Sequence, residues 1–402
     1  MKKIFIIGIG MGSQDGITVE ARKVIEDCQA LVGASRMLQI ADSFDFPQKP
    51  VQFISYKPEE IKEWITQAEE EKIAILLSGD VGFYSGAKKL LKELEGFRVQ
   101  LLPGISSVVY FCSKLQIPWE DVCLSSLHGR DCNAIQLINR NPKTFFLMSG
   151  AKGLQELCEK LNYYGMGHVI LHIGQRLSYP DETIFSEQAS LIRNLECDDL
   201  LVVLVENAQA KDYACISLED DAFIRDKVPM TKQEVRTLTV GKLALTKDAI
   251  VYDIGAGSGS VSIEIALQSP EIKVYAIEKE LLACQLMEKN KQKFAADNME
   301  IINGTAPEQL EDLPVPTHVF IGGSSGNLKS ILNKVYEKNP KAKVVLNTVS
   351  LNTLNEILNL ANENENWELD VVQIQAAKAK QMGKYQLMMG QNPVYILSIK
   401  QK

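Results

Sequence analysis

The chain has 402 residues, of which 46% are hydrophobic and 23% are charged, and its formal net charge is −8. This length exceeds what one hydrophobic core usually serves, so we expect a globular protein with two domains. The acidic balance gives no general attraction to nucleic acid, and no apolar segment approaches the roughly 20 residues that span a bilayer. The eight cysteines include no Cys-x-x-Cys pair, which favours reduced thiols in a cytoplasmic protein over a disulfide framework or a metal site.

In the first half, three predicted strands end in small, turn-forming residues. These apolar strands cover residues 4–9, 73–77 and 99–102, and a helix over 18–30 with Thr18 as its N-cap follows the first one. The carboxyl ends of the strands of an open α/β sheet meet at one edge, where ligands bind. The strand exits therefore predict a ligand-binding rim, and they contain Gly8-Ile-Gly10-Met11-Gly12, Ser78-Gly79-Asp80 and Pro103-Gly104-Ile105-Ser106-Ser107.

These exits belong to longer sequence signatures. GIGMGSQD, LLSGDVGFY, LPGISSVVYF and IGQRLSYPDETI are similar to the signature loops of the tetrapyrrole methylase family. The resemblance implies a domain of two α/β lobes that binds S-adenosylmethionine in the cleft between them. It also implies the residues that contact this cofactor, which would be Met11, Ser78, Gly79, Asp80, Ser106 and Ser107.

The second lobe is predicted to begin near residue 114, with strands over 144–148, 169–173 and 200–205. His128 follows a further predicted strand, and a histidine side chain titrates near neutrality. We therefore regard His128 as a candidate catalytic residue of the first domain. A histidine that only caps a loop fits the pattern equally well.

A change of composition marks the end of the first domain. Between residues 208 and 226 the apolar periodicity fades and acidic residues accumulate. We interpret 208–226 as a linker, which separates a domain over 1–207 from a domain over 227–402.

The second domain contains a glycine-rich turn between a predicted strand over 249–252 and a helix that begins near Ser260. Glycine lets the backbone approach a ligand closely, and the helix N-terminus offers unpaired N–H groups. The next predicted strand ends on Glu278, about 20 residues further on, where an acid can bind ribose hydroxyls. This combination predicts an adenosine site, and a turn that serves only packing is the alternative.

The turn reads Asp253-Ile-Gly255-Ala-Gly257-Ser-Gly259, and with the acid that closes the next strand it resembles the class I S-adenosylmethionine-dependent methyltransferases. The resemblance implies a Rossmann-like sheet of seven strands whose last pair is antiparallel. It implies a second cofactor site, and the residues matching the family's cofactor contacts are Gly255, Ala256, Gly257, Ser258, Gly259, Glu278 and Ala306.

Ahead of this turn, residues 229–236 have the pattern Pro-x-Thr-x-x-Glu-Val-Arg. Thr231 and Glu234 have the spacing of a capping box, which would simply start a helix. The same pattern is similar to the segment that leads into the class I domains acting on corrin precursors, where the threonine contacts the cofactor. By that resemblance Thr231 is a cofactor residue and Glu234 a candidate general acid/base. The hypothetical anchors for substrate carboxylates are Arg130, Arg176, Arg236 and Lys378.

Together the two halves resemble the bifunctional, decarboxylating precorrin methyltransferase family of cobalamin biosynthesis. The resemblance implies one S-adenosylmethionine per domain, methylation of a precorrin or cobalt-precorrin at C5 and C15, and decarboxylation of the ring C acetate at C12. An RNA methyltransferase and a non-catalytic scaffold that binds S-adenosylmethionine are the alternatives. We expect a cytoplasmic homo-oligomer that binds a tetrapyrrole and neither nucleic acid nor a membrane. The basic residues 375–384 are predicted to form a loop that grips the substrate or faces water.

Overall fold

The structure is a computed structural model that describes residues 2–42, 44–128, 132–193, 200–211 and 217–402. The chain divides into two compact units. Residues 132–140 and 160–167 group with the second unit, although the predicted bounds place them in the first domain. The first unit comprises Met1–Asp131, Asn141–Glu159 and His168–Ala208, and the second comprises Cys132–Arg140, Lys160–Gly167 and Gln209–Lys402.

The first part of the chain forms a parallel sheet with helices on both faces. Its strands are β1 (Lys3–Gly8), β2 (Ala30–Gly33), β3 (Val51–Ile54), β4 (Lys72–Leu77) and β5 (Arg98–Leu102), and its helices are α1 (Val19–Glu26), α2 (Ser35–Ala41), α3 (Pro58–Gln67), α4 (Ala87–Glu93) and α5 (Ser107–Leu115). The strand order is β3-β2-β4-β1-β5. The Thr18 side chain caps α1 by accepting a hydrogen bond from the Ala21 N–H, as predicted. The helix ends at Glu26 rather than residue 30, because Ala30 already belongs to a buried strand.

A mixed sheet follows, as a two-lobed first domain requires. Its strands are β6 (Cys123–Ser126), β7 (Lys143–Leu147), β8 (Ile170–Gln175), β9 (Thr183–Gln188) and β10 (Leu201–Glu206), and the helices along this part of the chain are α6 (Ala134–Arg140) and α7 (Gly150–Tyr163). The order is β6-β7-β10-β8-β9. Only β6 and β7 are parallel among the described pairs, which leaves β10 antiparallel to both of its neighbours.

The second unit contains the expected Rossmann-like sheet. Its elements are α8 (Gln233–Leu243), β11 (Ile250–Ile254), α9 (Ser260–Ala266), β12 (Lys273–Glu278), α10 (Leu281–Phe294), β13 (Met299–Asn303), β14 (His318–Ile321), α11 (Leu328–Lys338), β15 (Lys343–Thr348), α12 (Leu351–Glu363), β16 (Trp367–Ile374), β17 (Ala377–Met382), β18 (Tyr385–Gly390) and β19 (Val394–Gln401). Within the described residues the sheet has seven strands in the order β13-β12-β11-β14-β15-β19-β16. β19 runs antiparallel to both β15 and β16. The prediction of this sheet and its antiparallel end is confirmed.

Alternate residues of the central strand β11 face two separate hydrophobic layers. Val251 packs with the apolar residues of α8, α9 and α10. Tyr252 packs with those of α11 and α12. A strand buried on both faces explains the unbroken apolar run that precedes the glycine turn. Within the described ranges, no helix combines the length and the apolar character needed to cross a bilayer.

Two local predictions in the second unit are wrong. Helix α8 begins at Gln233 after Lys232 as its N-cap, without a side-chain capping bond, so Thr231 and Glu234 form no capping box. Residues 375–384 are not a loop, because β17 and β18 pair there as an antiparallel hairpin whose residues are all exposed.

Candidate active sites

The glycines of the second unit are required by close backbone contacts. Gly255 has φ = 73°, and a Cβ added to it would lie 2.6 Å from the carbonyl oxygen of Gly323. Gly259 has φ = 76°, and its Cβ would lie 2.4 Å from Cγ of Met287. Residues with a side chain rarely adopt positive φ. The turn therefore fixes the end of β11 against its neighbours and directs the start of α9.

Glu278 closes this site from the end of β12. Its Oε2 accepts a hydrogen bond of 2.8 Å from the Gly257 N–H, and its Oε1 accepts one of 3.0 Å from the Glu280 N–H. The residue is only 8% exposed. A carboxylate has about four lone-pair positions, so two further donors can still bind. This geometry suits the paired hydroxyls of a ribose.

A cavity of about 1250 Å³ opens beside the turn. It is larger than the pockets of roughly 300–1,000 Å³ that usually hold one small ligand. The volume is therefore sufficient for a nucleoside-sized donor and part of a bulky acceptor. Of the predicted cofactor residues, those that line it are Thr231, Gly255, Ala256, Gly257, Ser258, Glu278 and Ala306, whereas Gly259 does not and instead serves as the N-cap of α9.

Polar residues that the sequence did not single out complete the cavity wall. Asn347 and Thr348 come from the end of β15, and Gln391 and Asn392 lie just before β19. Asn347 and Thr348 could have been predicted, because ligands bind at the carboxyl ends of parallel strands and β15 is such a strand. The four residues were missed because they form no local sequence motif.

Arg236 does not lie in this cavity wall. It is fully buried, and its Nε donates to Oε1 of Glu264 at 2.6 Å while its Nη1 donates to the Thr231 carbonyl oxygen at 2.7 Å. Because the guanidinium has no exposed surface, it cannot bind a substrate carboxylate. The structure corrects that interpretation and gives Arg236 an internal role.

Glu234 lies next to the cavity rather than in its lining. Its Oε1 is 2.8 Å from Nζ of Lys378, and its Oε2 is buried without a hydrogen-bond partner among the described residues. Partial burial opposes ionisation, but the hydrogen bond and charge of Lys378 outweigh it and hold the pKa of the Glu234 carboxyl below its ordinary value. Lys378, a predicted substrate anchor, is thus paired with an acid of the same unit.

Asp253 lies beneath the turn and is fully buried. It accepts a hydrogen bond from the Ser262 hydroxyl, while its Oδ1 has no partner among the described residues. Burial raises the pKa of Asp253 to about 7, the hydrogen bonds from Ser262 oppose this rise, and the charge of Glu278 adds to it.

In the first unit, backbone contacts bring the predicted loops together. Gly10 and Gly79 exchange N–H···O hydrogen bonds of 3.2 and 2.6 Å. The carboxylate of Asp80 accepts from the Gly82 N–H at 2.7 Å and from the Gly104 N–H at 3.0 Å. A Cβ on Gly104 would lie 2.4 Å from the carbonyl oxygens of both Gly8 and Gly79, so these loops tolerate no side chain at that position.

The remaining predicted contacts of the first unit border this loop cluster. Ser106 is the N-cap of α5 and accepts a hydrogen bond of 3.5 Å from the Val109 N–H, and Ser107 is the first residue of that helix. Met11 packs against the hydrophobic cluster that contains Phe111, and Ser78 is exposed directly after β4. The structure thus places all of these residues at or beside the carboxyl ends of β1, β4 and β5.

A strained loop over residues 176–179 packs on the glycine-rich segment that follows β1. Its unusual backbone was not predicted from the sequence. Arg176 and Ser178 have φ values of 45° and 67°, and the Ser178 hydroxyl accepts a hydrogen bond of 3.0 Å from the Ser13 N–H. The ring of Tyr179 occupies the space beside Gly12, where a Cβ would approach it to 2.3 Å. Nε of Arg176, a predicted substrate anchor, is 2.6 Å from Oδ2 of Asp181.

His128 and Arg130 are the two remaining predicted site residues of the first unit. His128 is exposed, and its backbone N–H donates to the Ser126 hydroxyl at 3.2 Å. The predicted anchor Arg130 lies outside the described residues.

Comparison with known proteins matches a different family model to each half of the chain. The family model described as "Tetrapyrrole (Corrin/Porphyrin) Methylases" matches residues 3–192, and the one described as "Precorrin methyltransferase domain" matches residues 221–401. The probable cobalt-precorrin-6B C(15)-methyltransferase (decarboxylating) of Pyrobaculum calidifontis is 36% identical over 189 residues, which are 46% of this chain and 96% of that protein. The chain belongs to the precorrin methyltransferase family.

Another relative of this precorrin methyltransferase covers both halves. The precorrin-6Y C(5,15)-methyltransferase [decarboxylating] of Sinorhizobium sp is 28% identical over 322 residues, which are 79% of this chain and 78% of that protein. Among solved structures, the precorrin-6Y C5,15-methyltransferase of Geobacter metallireducens GS-15 is 38% identical, with a TM-score of 0.45, and covers 47% of this chain and 98% of that chain. Membership of this methyltransferase family implies S-adenosylmethionine as the methyl donor.

Proposed function

We propose that this precorrin methyltransferase methylates a precorrin or cobalt-precorrin at C5 and C15 and removes CO₂ from the C12 acetate, in cobalamin biosynthesis. The name of the Sinorhizobium relative, which spans both halves, supports this reaction pair. We assign C5 methylation to a domain over 1–207 and C15 methylation with decarboxylation to a domain over 227–402, joined by a linker over 208–226.

One observation carries the proposal. The chain has two separate sets of glycine-dependent strand exits, one around Gly10, Gly79 and Gly104 and the other around Gly255 and Gly259. Each set lies at the carboxyl ends of parallel strands, where open α/β sheets bind their ligands. We infer one S-adenosylmethionine per domain.

When bound, S-adenosylmethionine supplies an electrophilic methyl group. A meso carbon conjugated to pyrrole nitrogen is already nucleophilic, so the protein needs chiefly to orient the two reactants and exclude water. The residues present fit this task in the second domain. Glu278 offers acceptors for the ribose, the Gly255–Gly259 turn allows close backbone approach, and Thr231 and Ala306 line the same cavity.

Proton transfer needs a titratable group near the site. Our candidates are Glu234 in the second domain and His128 in the first. Glu234 is ionised when paired with Lys378, so it would accept a proton before it could donate one.

We also propose a homo-oligomeric protein of the cytoplasm. Cys28, Cys112 and Cys284 are buried free thiols, which suits a reducing compartment. The exposed apolar side chains of the β17–β18 hairpin support self-association, because contiguous apolar patches mark interaction surfaces.

The deciding experiment is to incubate the protein with the tetrapyrrole and S-adenosylmethionine and to measure the mass of the product. We expect a gain of two methyl groups and the loss of one CO₂. In the Gly255→Ala variant the added Cβ collides with Gly323, so we expect the product to gain only the C5 methyl and to keep its carboxylate.

Gly241→Ala is the matched control, because a Cβ at Gly241 meets nothing within 4 Å. This variant should give the same product as the native protein. No mass change with the native protein would refute the proposed reaction. Loss of CO₂ at the native rate in Gly255→Ala would refute the assignment of this step to the second site.

A further inference from the structure

Arg236 is a fully buried charged side chain next to the cavity of the second unit. Three segments of the chain meet at its guanidinium. Nε donates to Oε1 of Glu264 at 2.6 Å, Nη1 donates to Oδ1 of Asp220 at 3.3 Å and to the Thr231 carbonyl oxygen at 2.7 Å, and Nη2 donates to the Leu218 carbonyl oxygen. The side chain thus joins α8, on which it lies, to α9 and to the segment 218–231.

Stability alone does not explain an arginine at this position. Burying a guanidinium carries a large desolvation penalty, and apolar residues of similar volume often replace a buried ion pair without loss of stability. Lysine could neutralise Glu264, but only the planar fork of arginine holds several acceptors in fixed directions at once. The feature that needs explanation is therefore the set of backbone carbonyls that Arg236 holds.

The Thr231 carbonyl is the one that links Arg236 to the cavity. Thr231 lines the cavity together with Val228 and Pro229. A Cβ on Gly257 would lie 3.3 Å from the Pro229 carbonyl oxygen, so this stretch packs closely on the glycine turn. Residues 224–232 have neither helix nor strand, and their position depends on such anchoring contacts.

We propose that Arg236 is a positioning residue that fixes the Val228–Thr231 segment over the donor site of the second domain. This inference rests on the proposed function of that cavity. Arg236 does not touch the donor or the substrate. It acts through the Thr231 backbone, so its loss should weaken donor binding more than it slows turnover at saturating donor.

The test compares two variants of the full chain. In Arg236→Lys the buried charge remains while the fork is lost. In the double variant Arg236→Met with Glu264→Leu the buried pair is replaced by apolar side chains, a change that often leaves stability unaffected. It removes the Thr231 anchor and also the hydrogen bond of 2.9 Å from the Leu218 N–H to Glu264. Lys242→Met is the matched control, because Lys242 is on the same helix but pairs with the exposed Asp370 at 2.6 Å.

Two measurements distinguish a positioning role of Arg236 from a contribution to protein stability alone. For CO₂ release, we expect the KM for S-adenosylmethionine to rise about ten- to hundredfold in both variants, the loss expected for one hydrogen bond to a charged group. The kcat should change less than the KM, and C5 methylation should be unaffected. Calorimetric titration with S-adenosylhomocysteine should show a matching loss of affinity, and Lys242→Met should equal the native protein in both assays.

Variants that unfold cooperatively and keep the native KM and Kd within about twofold would overturn the proposal. If both variants fail to fold, Asp220→Asn replaces them, because Asp220 is at the edge of the network with 11% of its side chain exposed. We then expect a smaller rise in KM, and a native KM would overturn the proposal. The calorimetric comparison needs no turnover, so it still tests Arg236 if the native protein releases no CO₂ and the proposed function fails.

Discussion

The buried carboxyl of Asp253 couples the folding of the second unit to pH. In the unfolded chain its pKa lies near 3.8, whereas burial in the folded protein raises it to about 7. Between these values the folded state keeps a proton that the unfolded state has released. The free energy of unfolding therefore falls as the pH rises through this window, and it levels off above about pH 7.

We predict that Asp253→Asn has a larger free energy of unfolding than the native protein, and that the difference grows as the pH rises. Asparagine can still accept the hydrogen bond from Ser262, and it carries no charge to desolvate. The pKa rise from 3.8 to about 7 corresponds to a difference of at most about 4 kcal/mol at alkaline pH. Urea unfolding at about pH 5 and about pH 8 measures this difference. Asp312→Asn, at an exposed carboxyl, is the control, and an equal pH trend in both variants would contradict the prediction.

The roles of some single residues could be predicted from the sequence, whereas the roles of others could not. Gly255 and Glu278 could be predicted, because their roles depend on the local sequence of a strand, a turn and the next strand. Arg236 could not, because its partners Glu264 and Asp220 are distant in sequence and each looks like an ordinary surface charge. Only the folded chain shows that this arginine is buried, which turns an expected substrate anchor into an internal one.

At the scale of elements, the Asp80 carboxylate joins the loops that follow β4 and β5. It accepts hydrogen bonds from the Gly82 and Gly104 N–H groups. We predict that Asp80→Ala weakens donor binding by the first unit, because both loops lose their common acceptor. The expected loss is about ten- to hundredfold in the KM for S-adenosylmethionine of C5 methylation, since each lost bond involves a charged acceptor.

Asp27→Ala is the control for this prediction. Asp27 forms an exposed ion pair of 2.6 Å with Lys72, the first residue of β4, at the opposite end of that strand from Asp80. Exposed pairs contribute roughly 0–1 kcal/mol, so we expect no change in the KM. A native KM in Asp80→Ala would show that the loops hold their positions without the carboxylate.

The sequence identified long apolar elements and missed short or exposed ones. Strands β1 and β4 are near-continuous apolar runs, which identifies them as buried parallel strands, whereas the edge strand β5 buries only Leu102. Strand β3 has four residues, of which none is buried, so it lacks that signal. Strand β17 alternates alanine with lysine over residues 377–380, but every residue of the β17–β18 hairpin is exposed, and its lysines suggested a loop.

At the scale of the whole molecule, that hairpin gives a prediction about assembly. Tyr385 and Met388 are 74% and 67% exposed, and an isolated two-stranded hairpin is at best marginally stable in water. We predict that Met388→Lys shifts the protein to a smaller species in sedimentation or size-exclusion analysis, because a charge at a buried apolar contact is costly.

Val19→Lys provides the comparison, because Val19 is an exposed apolar residue of α1 with 71% of its surface accessible. It should leave the assembly unchanged. Equal masses for the native protein and Met388→Lys would exclude the hairpin as the surface of self-association.

The order of strands in the second sheet also determines how that sheet comes apart. β19 lies between β15 and β16, and among the strands that the structure describes β16 pairs with β19 alone. Detachment of β19 therefore leaves β16 without a ladder of hydrogen bonds among the described strands, and the hairpin between them keeps the ion pair of Lys378 with Glu234 but loses the support of both flanking strands. We expect a protease that cuts within Val394–Gln401 to loosen β16 and the hairpin from the sheet and to displace the Gln391 and Asn392 wall of the cavity.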